Sequence, residues 1–207
     1  QLTPDPALQS RTITVPAPVA LTEWSQPGGT ADNSPPPSTG SAVLEQAWRA
    51  NLGQGSNNRA QIAAPPVIAD GNLYFLDADH RVHAVRARDG SRLWTKNLRP
   101  EDSRDRVARG GGVAAAGGRV FVTTGFGFVV ALDGQSGDEV WRMTADAPFQ
   151  SAPTVASGRV YAITNDSELL AIDANNGNVT WNFQAIAEPA RILAAPSVAV
   201  EGETVVA

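Results

Sequence analysis

Three times in this chain a glycine is followed nineteen positions later by a second glycine, and four positions after that by a tryptophan. The triplets are Gly71, Gly90, Trp94; Gly118, Gly137, Trp141; and Gly158, Gly177, Trp181. A repeated ruler constrains a fold more tightly than a single motif, because each copy must be the same supersecondary unit. The stretch from each tryptophan to the next turn glycine varies instead, at 24, 17 and 21 positions. Length variation confined to one connection makes the unit rigid and the joint between units a surface loop. A further copy opens at Ala195-Pro196-Ser197-Val198 with Gly202.

Inside each unit, short apolar runs are separated by turn signals. Asp70-Gly71, Gly117-Gly118, Ser157-Gly158 and Glu201-Gly202 suit two-residue turns whose positive φ glycine tolerates. Apolar strands are expected over 73–76, 120–123 and 160–163, then over 82–85, 129–132 and 169–172, with a last hairpin leading into each tryptophan. No window holds a helical period for three turns. A four-stranded sheet with two apolar faces is not stable by itself, so the units must stack. The expectation is an all-β chain, an incomplete β-propeller of four-stranded antiparallel blades. Blades are placed at about 60–98, 110–145 and 151–185, with the start of a fourth over 194–207. Trp48 stands 23 positions before Gly71, much as Trp94 stands 24 before Gly118. A closing strand is therefore expected over 43–52, ending a blade whose other strands this chain does not supply.

The partial propeller thus covers 41–207, and residues 1–40 read differently. Eight of the fifteen prolines lie there, with Pro35-Pro36-Pro37 beside several glycines. Such a segment has little to fill a core and withholds backbone donors, so it is expected as an extended tether or wrapping strand. Trp24 is its one large apolar anchor, expected to plug a groove on the folded part.

Composition narrows the chemistry. The absence of cysteine excludes disulfides, thiolate catalysis and thiolate metal sites. The longest apolar runs are far short of the ~20 residues of a membrane helix, and no signal peptide is legible at the start. A net charge of −5 disfavours a general nucleic-acid binder.

The string Ala131-Leu132-Asp133, Gly137, Trp141, repeated as Ala171-Ile172-Asp173, Gly177, Trp181, resembles the tryptophan-docking repeat of the quinoprotein-type (PQQ-like) propellers. The first copy departs from it, with Arg86 in the place of the aspartate. The resemblance implies that Trp48, Trp94, Trp141 and Trp181 pack between adjacent blades. A finer resemblance runs through Glu23–Gly29, Ala47-Trp48-Arg49, Gly53-Gln54-Gly55-Ser56, Ala64-Pro65-Pro66-Val67, Gly110-Gly111-Gly112 and Thr124-Gly125-Phe126-Gly127. These stretches are similar to the family of B subunits of the bacterial β-barrel assembly machinery (BamB). That family implies an eight-bladed, non-catalytic periplasmic propeller, lipid-anchored to the outer membrane and assisting insertion of outer-membrane proteins. Its implied partners are the periplasmic domains of the barrel-inserting subunit and unfolded outer-membrane proteins. Against that pattern the chain has no anchoring cysteine and about half the blades, so it is expected to be a fragment. The alternative is a fragment of a PQQ-dependent dehydrogenase, with PQQ and calcium at the propeller axis. Against it stands the lack of the adjacent cysteine pair that such enzymes carry over the cofactor.

Candidate chemistry is sparse. His80 and His83 sit around the second hairpin, on opposite faces by strand geometry, with no third ligand near; they are expected to be exposed, and no metal site is assigned. The glycine-rich segments 110–112 and 125–127 lack the helix that a phosphate loop needs, and are expected where backbone packs closely. Asp133 and Asp173 have turn chemistry. No nucleophile, base and orienting acid can be assembled, so no catalytic or cofactor-binding residue is assigned. Between Arg81 and Arg109 nine basic residues face four acidic ones, which reads as a solvated charged loop or as a docking patch for an acidic partner. Finally, the connection over 185–195 holds Ile186, Ile192 and Leu193 around Arg191. An apolar loop bearing an arginine has the makeup of an interface hot spot; the other reading is that Ile192 and Leu193 begin the next blade's inner strand.

Overall fold

The computed structural model of the chain describes residues 14–41, 43–57, 61–101, 108–185 and 197–207. All regular structure in these residues is β. The first blade runs β1 (Val67–Ala69), β2 (Asn72–Leu76), β3 (Arg81–Arg86) and β4 (Arg92–Asn97). The second runs β5 (Gly111–Ala116), β6 (Arg119–Thr124), β7 (Phe128–Asp133) and β8 (Glu139–Thr144). The third runs β9 (Thr154–Ala156), β10 (Arg159–Ile163), β11 (Glu168–Asp173) and β12 (Val179–Gln184), and a hairpin of β13 (Ala199–Glu201) and β14 (Thr204–Val206) opens a fourth. Each complete blade is an antiparallel meander in sequence order. First strands of successive blades lie against one another, β1 with β5, β5 with β9 and β9 with β13. They form the inner rim, and the tryptophan-bearing fourth strands form the outer one. This is a β-propeller arc.

The ruler is visible in the geometry. The first hairpins turn on Asp70-Gly71, Gly117-Gly118 and Ser157-Gly158, with positive φ at both positions in all three, the two-residue turn whose twist matches the strands. The third and fourth strands lose register at one equivalent place, after Ala84, Ala131 and Ala171. Each of these alanines lies opposite a tryptophan, Trp94, Trp141 or Trp181. A bulge there bends the fourth strand and re-aims the ring. Third strands are buried on both faces, as at Val82–Val85 and Phe128–Leu132, so their apolar runs are continuous rather than alternating. Three cores result, one at each blade-to-blade interface. The largest joins Val67, Tyr74 and Val82 to Val113, Val122 and Leu132; the next joins Phe121, Val129 and Trp141 to Val160 and Ile172.

Residues 43–52 form no strand ladder with the other described residues. What the segment does is place Trp48. The Trp24 backbone pairs with Ile68, and its half-buried indole folds back over Gly29 and donates to the Pro27 carbonyl at 3.3 Å.

Candidate functional site

Trp48 Nε1 donates to the Ala87 carbonyl at 2.8 Å, Trp94 Nε1 to Gly134 at 2.9 Å, and Trp141 Nε1 to Ala174 at 3.0 Å. The three acceptors occupy one position of the ruler, sixteen after the turn glycine. Each ring also lies flat over the next turn. A Cβ on Gly90, Gly137 or Gly177 would stand 2.6, 2.7 or 2.7 Å from Trp48, Trp94 or Trp141. Glycine at these positions thus serves both a positive φ and the approach of a neighbouring blade. Trp181 packs on Tyr161 of its own blade and is 38% exposed, with Phe183 of the same strand 62% exposed.

The segment read as a wrapping strand lies across the inner rim. Trp24 exchanges both backbone hydrogen bonds with Ile68 of β1, at 2.8 Å each. The Ser25 carbonyl accepts from the Ala115 amide of β5 at 2.8 Å. Gln26 is buried, and its side-chain amide imitates a strand: Oε1 accepts from the Val155 N–H at 2.7 Å and Nε2 donates to the Val155 carbonyl at 3.1 Å. The Ala31 carbonyl accepts from Val200 of β13 at 2.7 Å. One eight-residue stretch therefore bonds to the first strand of every blade in the arc. Its ends are clipped together by a parallel bridge between Val19 and Ser38, so 19–39 forms a closed loop. Gln26 was not singled out by sequence reasoning. A lone glutamine before Pro27-Gly28-Gly29 shows only a turn.

The two histidines are not exposed. His80 and His83 are 4% and 3% accessible: Gly53 lies against His83, and Phe126 of the second blade lies against His80. Gln54 donates its amide to Asp77 Oδ2 at 3.0 Å and accepts from the Ala78 amide at 3.1 Å. A Cβ on Gly53 would stand 2.7 Å from His83 Nε2. His83 joins Asp77 Oδ2 at 3.0 Å and the Thr95 hydroxyl at 3.2 Å, and stacks on Phe75. Burial pushes the Asp77 carboxyl up, but His83 and the amides of Arg81 and Gln54 outweigh it and hold it down to about 2. His80 lies edge-on to Phe126 of the second blade with neither ring nitrogen hydrogen-bonded among the described residues, and burial pushes it below the ordinary histidine value. Threonine, histidine and aspartate in a row resemble a catalytic triad, yet the backbone of 53–54 covers the histidine. The cluster is a clasp fastening the lead-in segment to the first blade.

Asp133 accepts the amides of Gln135 and Ser136, and Asp173 those of Asn175 and Asn176, the turn chemistry expected of them. Glycines 110–112 and 125 pack against backbone or β-carbons closer than a Cβ allows. Ile186, Arg191, Ile192 and Leu193 lie outside the described residues.

Two stretches of the chain, 37–109 and 78–207, match the family profile described as outer membrane protein assembly factor BamB. The chain belongs to this BamB-type family of PQQ-like propellers. Among relatives, the quinone-dependent 1-butanol dehydrogenase of Thauera butanivorans is 40% identical over 105 residues, covering 49% of this chain and 16% of the dehydrogenase. BamB of Salmonella typhimurium is 33% identical over 94 residues, covering 44% of this chain and 24% of that protein. The quinohemoprotein alcohol dehydrogenase ADHIIG of Pseudomonas putida HK5 has the same fold, with a TM-score of 0.65 at 23% identity over 84% of this chain and 30% of the enzyme. The chain spans less than a third of the length of each of these proteins. A BamB-type repeat is therefore shared by an assembly factor and by dehydrogenases.

Proposed function

We propose that the chain is part of a non-catalytic scaffold acting in the periplasm at the outer membrane, where it assists assembly and insertion of β-barrel proteins. The observation that carries this reading is the loop over 24–31. The dehydrogenases resembled hold PQQ and calcium at the propeller axis, and here the inner rim of four consecutive blades is hydrogen-bonded by the chain's own Trp24, Ser25, Gln26 and Ala31. A cofactor at that rim would meet this segment, whereas a protein partner binding from either face of the ring would not. The partners in this reading are the periplasmic domains of the barrel-inserting subunit, met by Arg191 with Ile186, Ile192 and Leu193 around it, and unfolded outer-membrane proteins in transit.

The second reading, a fragment of a quinoprotein dehydrogenase, is supported by the 40% identity to a quinone-dependent enzyme. One experiment separates the two. Full-length protein is mixed with PQQ and Ca²⁺ and assayed for dye-linked alcohol oxidation, and in parallel for capture of the barrel-inserting subunit. Capture without oxidation is the expected outcome, with capture weakened by Arg191→Glu in a variant that melts normally. PQQ-dependent oxidation would transfer the assignment to the enzyme.

A further inference from the structure

The repeat supplies its own control for the first blade. At the outer end of the second and third strands, the second blade pairs Arg119 with Asp133 and the third pairs Arg159 with Asp173. The first blade has Asn72 opposite Arg86 at the same place. In the second blade the aspartate caps its turn, and Arg119 reaches across the interface to the carbonyls of Ala174 and Asn175 at 2.8 and 3.3 Å. In the first blade a neutral residue makes the corresponding link: Tyr74 donates to the Gly134 carbonyl at 3.2 Å. The turn cap has moved to Asp89, which accepts the Ser91 amide at 2.9 Å and pairs with Arg88 at 3.1 Å. Arg86 is exposed and has no hydrogen bond or ion pair of its side chain among the described residues. The fold does not use its charge.

That charge faces a groove. Between the first two blades lies a space of about 600 Å³ lined by Asn72, Arg86, Ala87, Arg88, Leu93 and Gln135. The equivalent space between the second and third blades is about 390 Å³, and there Arg119 is tied across to the next blade. The first groove thus offers a free guanidinium, a second one weakly held on the surface, two amides and an apolar wall. Its basic residues Arg86 and Arg88 belong to the sequence stretch in which basic residues outnumber acidic ones, within a chain of net charge −5. A planar guanidinium suits a carboxylate, a groove of this size suits a few residues of chain rather than a lone ion, and its concavity does not suit a flat lipid surface. We propose that the groove between the first and second blades docks an acidic peptide segment of a partner protein, with Arg86 as its carboxylate-binding residue and Arg88 beside it. This goes beyond the outer-membrane reading and does not depend on it.

The test uses the repeat's own solution. Asn72→Arg with Arg86→Asp gives the first blade the pair of its neighbours and should fold at least as well as the parent. Full-length protein is titrated into a labelled octaglutamate peptide, with octaglutamine as reference, and followed by fluorescence anisotropy. The parent is expected to bind the glutamate peptide alone. The double variant should lose about tenfold or more in affinity with an unchanged melt, while Lys96→Glu, the reversal of a charge on β4 outside the groove, should lose much less. Equal binding by the double variant would overturn the proposal, as would an equal loss in Lys96→Glu, or a parent that binds anionic vesicles and ignores the peptide.

Discussion

Single positions already separate two reasons for a glycine. Gly158 has φ +75° with open space where a Cβ would go, while Gly137 has φ +76° and a tryptophan ring in that space. Gly158→Ala should cost about 1 kcal/mol, the strain of a left-handed alanine. Gly137→Ala should cost about 2–4 kcal/mol, because the Trp94 ring must also retreat. Urea unfolding of the two variants measures the difference, and equal costs would mean that the ring does not rest on the turn. The buried histidine gives a second expectation. Burial lowers His80 from its ordinary 6.5, so below that pH the unfolded chain takes up the proton more readily than the folded one. Stability should be complete above that value and fall as the pH drops through it. His80→Phe, which can keep the contact with Phe126, should flatten the change in urea midpoint between about pH 7.5 and about pH 5.5. Asp77 acts in a separate window: held at about 2 against an ordinary 3.8, it stabilises the fold above 3.8 and that contribution is lost as the pH falls towards 2.

Strands and their joints were the most legible part of this sequence. A turn glycine, a second glycine and a tryptophan at fixed distances are local events, since each hairpin places its own residues without help from distant chain. Asp133 and Asp173 were readable for the same reason, each bonding amides two and three positions on. The burial of His80 and His83 was not, because the cover comes from outside their own hairpin, from residue 53 over His83 and from Phe126 of the second blade against His80. The fourth strands make the joint between blades, and Trp141 tests it. Trp141→Ala should cost about 3–5 kcal/mol, as for other buried aromatics. Trp141→Phe keeps most of the packing and loses only the bond to Ala174, which should cost about 1–2 kcal/mol. Chemical melts read both, and a Trp141→Ala cost below about 1 kcal/mol would remove the ring from the joint.

For the molecule as a whole, the loop over the inner rim is the part that sequence patterns do not reveal. Its bonds are mostly backbone to backbone, so they impose no side-chain periodicity, and they join positions as distant as Ala31 and Val200. Gln26→Leu should leave the Val155 N–H and carbonyl without partners and cost about 2–3 kcal/mol. Hydrogen exchange should show the Val155 amide opening while Ile68, held by Trp24, stays protected; protection of Val155 in the variant would show that Gln26 is not what covers it. The same loop has a kinetic consequence. Each blade is a meander of neighbouring hairpins and can form as soon as its own residues are free. The loop has no complete surface to bind until three such blades and the hairpin of the fourth stand side by side, and its last bond closes over 169 positions of chain. Non-local closure of that kind is slow relative to hairpin formation. On refolding from denaturant, residues 19–39 are therefore expected to be the last of the described residues to become ordered, and the rim stays open to any extended chain that reaches it first.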